Sequence, residues 1–384
     1  MIPTPRWALA ALVCASAATG LTACGSDDNN DSGGSSTNNA AKTTNNAAST
    51  GSGKGGTIAL LLPETKTTRY ELHDRPTFVA KVQALCPDCK IAYANANQDP
   101  NRQQQQAEAA ITKGAKVLVL DAVDAKAAVA TVNRAKAAGI PVIAYDRLIT
   151  GAPISYYVSF DNVKVGELQA QTLVDKIGAA GKGKSIVMIN GSPTDPSSGD
   201  YKKGAHSVLD HAQVKIGKEY DTQDWSPDKA EREMEQAITA LGKDQIAGVY
   251  SANDGMASGA IAAMKGGGID PKTLPTTGQD SEVAAIQRIL VGDQFMTIYL
   301  RIKKQAEASA EIAVALAKGE QPPAGLVNAK TDNGAGQVPS VLLAPTAVTK
   351  DNIKDTIIAD DFLTAKEICI NKFATACKVA GIDD

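Results

Sequence analysis

Short apolar runs alternate with amphipathic stretches along most of this chain, and that alternation restricts its possible folds more than any other feature. The runs are Ile58–Leu62, Lys90–Ala94, Val117–Leu120, Val142–Tyr145, Tyr157–Phe160, Ile186–Ile189, Ile246–Tyr250 and Met296–Leu300. Between them, Ala107–Lys113, Ala125–Ala138, Val163–Ile177, Asp228–Leu241, Ala257–Lys265 and Ser281–Leu290 place apolar residues three to four apart, as a helix with one buried face does. Gly114, Gly139 and Gly242 follow three of these stretches, where a residue of left-handed backbone commonly ends a helix. Strand–helix–strand units of about 25–30 residues predict parallel sheets with right-handed crossovers, an α/β fold. The body from Thr57 to Asp384 is long for one core and suits two domains.

The first 23 residues stand outside that pattern. A short segment with one basic side chain, Arg6, leads into an uncharged apolar run, Trp7 to Leu21. This is the layout of a secretory signal, and the run is short for a membrane span. It ends in Leu21-Thr22-Ala23-Cys24-Gly25, which resembles a lipobox. Cleavage before Cys24 and acylation of its thiol are expected, anchoring the protein outside the cytoplasm. Residues 24–56 are mostly Gly, Ser, Asn, Thr, Asp and Ala, too poor in apolar bulk to fold. They read as a tether with a coil dimension of roughly 30 Å. The whole chain carries a formal charge of −3; losing Arg6 with the signal makes that −4. No basic surface for nucleic acid is indicated.

Cys14 leaves with the signal and Cys24 is the lipidation candidate, so Cys86, Cys89, Cys369 and Cys377 remain. Four thiols in an oxidising compartment imply two disulfides, with three pairings open. The local pairs 86–89 and 369–377 are expected. A thioredoxin-like redox pair is the alternative for Cys86-Pro-Asp-Cys89. That chemistry needs the first thiol at a helix N-terminus, and here the motif ends a helix-like stretch and precedes a strand.

In open α/β sheets, ligands bind beyond the carboxyl ends of the strands. Just past the runs stand Glu64, Asn95, Asn97, Asp121, Asp146-Arg147, Asp161-Asn162, Asn190, Ser192, Asp195, Asn253-Asp254 and Gln279-Asp280. Some of these only cap helices, and Asp124 and Asp161 are read that way. The whole set exceeds what capping requires. Carboxylates, amides and an arginine fork match the vicinal hydroxyls of a sugar. An aromatic content of 4% argues against a flat polysaccharide surface, but a monosaccharide pocket needs only one or two rings. The three histidines, His73, His206 and His211, form no metal-binding motif, so no metal and no cofactor are expected. Gly178–Ser185 fits the P-loop pattern letter for letter, but it follows a helix and precedes a strand, the reverse of the order that phosphate binding needs. It reads as a solvated turn.

Ile143-Ala-Tyr-Asp-Arg147, Ser159–Ala170, Gly191-Ser-Pro-Thr-Asp195, Ser251-Ala-Asn-Asp254, Thr277-Gly-Gln-Asp280 and Asp351–Ile358, in this order and spacing, resemble the xylose-binding proteins of ABC transporters. The similarity runs from Thr57 to about Phe362. It implies the type I periplasmic-binding-protein fold, two Rossmann-like lobes with parallel sheets joined by a three-crossing hinge. The lobes would be residues 57–160 plus 297–342 and residues 161–296 plus 343–384, with crossings near Asp161, Met296 and Leu343. The resemblance also implies the contacts. Arg69, Tyr70, Asp146 and Arg147 would face a sugar from the first lobe, the last two as a charged clamp. Asp195, Asn253 and Asp280 would face it from the second, and Trp225 would stack on its C–H groups. Two positions depart from the family: Ser197 where an amide is usual, and Leu300 where a lysine is usual. Strand alternation turns Arg301 away from the face that lysine would occupy.

The function expected is capture of a monosaccharide, xylose before other aldoses, and its delivery by a monomeric lipoprotein to an ABC permease. A sugar sensor that presents its ligand to a membrane receptor is the alternative. A glycosidase could use paired carboxylates in a cleft, but Arg147 beside Asp146 argues against it. A transcription regulator would carry a helix-turn-helix where this chain has its signal and tether.

Overall fold

A computed structural model describes residues 55–382. The signal, Cys24 and nearly all of the tether lie outside the described residues. The first lobe is built from β1 (Thr57–Leu62), α1 (Arg75–Leu85), β2 (Lys90–Asn95), α2 (Pro100–Thr112), β3 (Ala115–Leu120), α3 (Ala128–Ala137), β4 (Val142–Tyr145) and β5 (Tyr156–Phe160). The chain then enters the second lobe with α4 (Asn162–Ile177), β6 (Ser185–Asn190), α5 (Pro196–Leu209), β7 (Lys215–Asp221), α6 (Pro227–Leu241), β8 (Ile246–Ser251), α7 (Asp254–Gly266), α8 (Val283–Val291) and β9 (Met296–Tyr299). It returns with α9 (Ile302–Lys318), β10 (Ala329–Asp332) and β11 (Gln337–Leu343). It crosses a third time to β12 (Thr346–Thr349), α10 (Ala365–Ile368) and α11 (Ala374–Val379).

The first sheet has the order β10-β11-β5-β4-β3-β1-β2, parallel except for β10 against β11. Its inner strands β1, β3, β4 and β5 are buried on both faces, while the edge strands β2 and β10 are partly exposed. Ile58, Leu60 and Leu62 of β1 pack with α1 and α9, while Ala59 and Leu61 face the layer of α2 and α3. That two-sided burial is why β1 is an unbroken apolar run rather than an alternating one. The second lobe pairs β7-β6-β8 in parallel, with β9 and β12 antiparallel to each other. Bridges Val249–Thr276 and Gln279–Ile298 carry the sheet from β8 through an extended segment to β9.

The second crossing falls four residues later than expected. Met296–Tyr299 is a strand of the second lobe, held by β12 and by the Gln279 segment, and the chain changes lobes at Leu300–Arg301. The first and third crossings run side by side, with the Asp161 amide donating to the Leu343 carbonyl at 3.0 Å. Gly178–Ser185 forms a turn between α4 and β6, the helix-then-strand order read from the sequence. Cys86 bonds to Cys89 between α1 and β2, and Cys369 bonds to Cys377 between α10 and α11. The tail packs on α8, where the Gln287 amide donates to the Ile368 carbonyl at 3.0 Å.

Candidate functional site

The carboxyl ends of both sheets face one another, and the loops that leave them carry unusual backbone. Among the described residues, nine that are not glycine have positive φ. Seven of them follow strands: Asn97 and Gln98 after β2, Asp146 after β4, Asp224 and Trp225 after β7, and Asp280 and Ser281 after the Gln279 segment. Such conformations cost of order 1–3 kcal/mol each and persist where surrounding structure enforces them, typically at ligand sites. At Asp146 the enforcement is visible. Its carbonyl accepts the Ser159 hydroxyl at 2.7 Å and the Tyr157 hydroxyl at 3.2 Å, and its φ of 61° turns the next residue sharply.

Arg69, Tyr70, Asp146, Arg147, Asp195, Trp225, Asn253 and Asp280 all line one cavity between the lobes. Thr67, Tyr201 and Gln279 line it with them. Little space remains, about 20 Å³, the measure of one or two water molecules. A larger guest therefore enters with these groups displaced.

Arg69 is anchored from its own lobe. Asp74 takes its Nε and Nη2 at 2.9 and 2.8 Å, the Gln305 carbonyl oxygen takes Nη2 at 2.6 Å, and Asp146 takes Nη1 at 3.1 Å. Tyr145 completes the support by donating to Asp74. Burial works to deprotonate this guanidinium, but the Asp146 and Asp74 carboxylates outweigh it and hold its pKa above the ordinary value. The turn after β1 aims it: the Glu64 carboxylate caps the amide of Thr67 at 3.1 Å.

The clamp expected from Asp146 and Arg147 is arranged differently. The left-handed backbone at Asp146 sends the two side chains apart. Asp146 pairs with Arg69, while the Arg147 Nε sits 3.1 Å from Asp195 and 3.4 Å from Asp121. Arg147 thus reaches across the cleft to the second lobe. Its other nitrogens donate to the Ala122 carbonyl at 3.2 Å and to the Tyr70 hydroxyl at 3.3 Å.

From the second lobe, Asp195 and Asn253 have two tasks. Asp195 caps α5 through the Ser197 amide at 2.9 Å with one oxygen and faces Arg147 with the other. The Asn253 carbonyl oxygen caps α7 through the Met256 amide at 2.8 Å, which leaves its NH₂ for the cavity. Asp280 makes no side-chain hydrogen bond among the described residues and is 4% exposed. Burial pushes its pKa well above the carboxylate range, with Arg69 only partly offsetting. Behind it, Asp254 accepts from Gln294 at 2.7 Å and Thr297 at 2.9 Å, yet burial and the nearby Glu282 carboxylate raise it to about 7. Asp161 caps α4 through the Lys164 amide, as read from the sequence, whereas Asp124 accepts from the Lys126 and Ala127 amides in the turn ahead of α3, whose own first residue has no side-chain cap.

Trp225 is buried, with Tyr201 edge-on at 6.4 Å, and its Nε1 has no hydrogen-bond partner among the described residues. Gly191 makes its slot, because a Cβ there would overlap the indole ring. Gly191→Ala, in a Trp7→Phe background, is therefore expected to push the indole outward. A red-shifted emission maximum checks this; an unchanged maximum would show that the ring does not depend on Gly191. Among the described residues, Trp225 Nε1, Gln279 Oε1 and Arg147 Nε of the cavity lining are buried without a hydrogen-bond partner, as are both oxygens of Asp121, which lies behind Arg147 and outside the lining. Unpaired buried polar atoms cost about 1–3 kcal/mol each, so a cavity wall holding several suits a guest rich in hydroxyls.

The two departures lie beside the cavity rather than in it. Leu300 is fully buried in the second lobe's apolar core. Arg301 pairs with Asp360 at 3.0 Å and Lys303 with the Asp361 carbonyl, both on the outside, so neither supplies the cleft with a cation. Ser197 accepts from the Asn162 amide at 3.2 Å near the first crossing. Sequence reasoning missed Tyr201, which sits inside α5 and not at a strand end, and the support from Asp74 and Gln305.

The chain matches the model of the periplasmic binding protein domain over residues 58–321. It is 38% identical over 324 residues to the D-xylose-binding periplasmic protein of Haemophilus influenzae, covering 83% of this chain and 94% of that one. It is 37% identical over 315 residues to the D-xylose-binding periplasmic protein of Escherichia coli, covering 81% and 92%. Among solved structures, the carbohydrate transporter solute binding protein of Chloroflexus aurantiacus in complex with D-glucose aligns with a TM-score of 0.73 at 27% identity, covering 81% of this chain and 97% of that one.

Proposed function

The chain belongs to the periplasmic binding protein family, and on that premise we propose that it captures an aldose, D-xylose first, between its lobes and presents it to an ABC permease. Its relatives are binding proteins, not enzymes. The observation that carries the reading is the convergence of charged and amide groups from both lobes on one small cavity whose walls hold unpaired polar atoms. Sugar hydroxyls would complete them, and the Trp225 face would meet the ring's C–H groups.

Contacts between the lobes support the delivery part of this reading. Arg147 to Asp195, Gln98 to the Asp224 carbonyl, Thr194 to the Val123 carbonyl and the Thr68 amide to Glu282 each join the lobes. A ligand that bridges the same two surfaces favours this closed form, and a permease that recognises it takes up only loaded protein. Acylated Cys24 would hold the protein at the membrane where that permease sits. Mass spectrometry of protein from the membrane fraction tests the anchor: a diacylglycerol adduct on Cys24 is expected, and a free thiol there contradicts it.

The test of capture is cheap. In the chain cleaved before Cys24, Trp225 is the sole tryptophan. Its fluorescence is expected to change on titration with D-xylose or a related aldose at micromolar levels. A flat response across a panel of monosaccharides, with calorimetry equally silent, contradicts sugar capture.

A further inference from the structure

A second cavity, of about 270 Å³, lies beside the first and shares two of its walls, Arg69 and Asp280. No hydrogen bond or ion pair joins those two side chains. They therefore form a partition that can part without breaking a bond between them. The far wall is different in kind. Val283 and Ala284 of α8 line it, together with Leu72 from the first lobe and Ile370 from the tail. Leu72 and Ile370 are 60% and 48% exposed, two of the few large aliphatic side chains left so open among the described residues. Ile370 directly follows Cys369, so the Cys369–Cys377 disulfide holds the segment that presents it.

We propose that this side pocket is a subsite for the aglycone of a sugar glycoside whose ring occupies the cleft. The inference rests on the reading of the cleft as a sugar site and adds a ligand class to it. A sugar ring is satisfied by the polar groups of the first cavity. Across that partition, Thr68, His73, Glu282 and Gln287 line the second cavity beside its four aliphatic side chains, so it is not simply a polar extension of the sugar site. It does offer apolar area to an alkyl or aryl substituent on the anomeric oxygen. A dry cavity of about 150 Å³ holds a benzene ring, so the space is ample for an aryl group. The tail, which the sugar cleft does not use, gains a role as the outer wall.

The test is a calorimetric titration of the whole protein with free aldoses and with the phenyl α- and β-glycosides of whichever aldose binds. One phenyl anomer is expected to bind at least as tightly as the free sugar. Leu72→Asp and Ile370→Asp should each weaken that glycoside about tenfold while leaving the free sugar within twofold. Both positions are exposed, so neither change touches the core. Binding of the free sugar with exclusion of both phenyl anomers overturns the subsite alone. So does glycoside binding that ignores both substitutions. If no aldose binds, the reading of the cleft fails and the subsite with it.

Discussion

Arg147→Ala is expected to destabilise the protein by about 3–5 kcal/mol and to abolish ligand binding. The side chain is 2% exposed and stands between Asp121 and Asp195, which are 0% and 4% exposed. Burial raises both carboxyls, and the Arg147 guanidinium is what opposes that rise. Without it, two buried carboxylates lose their countercharge, and the Asp121 carboxylate already lacks a hydrogen-bond donor among the described residues. Because Asp195 belongs to the second lobe, the closed form suffers as well as the fold. The pH dependence has a definite sign. Unpaired, these carboxyls have raised folded pKa values, so the penalty is full above those values and fades as pH falls to the ordinary carboxylate range. Urea unfolding at pH 7.5 and at pH 4 measures both effects. A loss under about 1 kcal/mol at pH 7.5 would show that Arg147 does not hold the pair.

Asp280→Ala is expected to weaken sugar binding by about 100-fold while leaving the fold intact or more stable. A hydrogen bond to a charged group is worth about 1.5–3 kcal/mol, and this carboxylate can accept from more than one hydroxyl. Its cost to the free protein points the other way. It is buried, strained at φ 94° and without a side-chain partner among the described residues. Its folded pKa is raised, so the folded state holds a proton that the unfolded chain releases, and stability falls as pH rises from the ordinary value through the folded one. Asp280→Asn should therefore unfold at higher denaturant than wild type at pH 7.5 and match it below about pH 3.5. Calorimetry gives the affinity and urea unfolding the stability. Retained affinity would remove Asp280 from the site, and equal stability at pH 7.5 would show that its burial costs nothing.

The inner strands β1, β3, β4 and β5 are legible in the sequence because burial on both faces writes each as a solid apolar run, whereas the polar edge strand β10 and its neighbour β11 were not read. The sites at the ends of buried strands in both lobes are legible for the same reason: a polar residue just past such a run has left the core for the cleft. That logic reaches Asp146, Asp195, Asn253 and Asp280. It fails where the pattern is weak. β7, Lys-Ile-Gly-Lys-Glu-Tyr-Asp, is an edge strand whose half-exposed residues lack an apolar signature. α5 carries Pro196, Gly199 and Gly204, and Gly204 is needed because a Cβ would overlap the Val163 carbonyl of α4. That close helix packing suppresses the usual helical composition and hides Tyr201 with it. The pairing of Arg147 across the cleft was illegible because it depends on the backbone at Asp146, which reverses the direction of one side chain. The crossing at Leu300 was misplaced because a strand of four buried residues reads the same in either lobe.

A crystal structure grown with D-xylose tests the central claim most directly. It should show a pyranose between Arg69, Asp146 and Arg147 on one side and Trp225, Asn253 and Asp280 on the other, with the Arg147–Asp195 pair parted or bridged by a hydroxyl. A sugar bound elsewhere, or a cleft unchanged at saturating sugar, would contradict it.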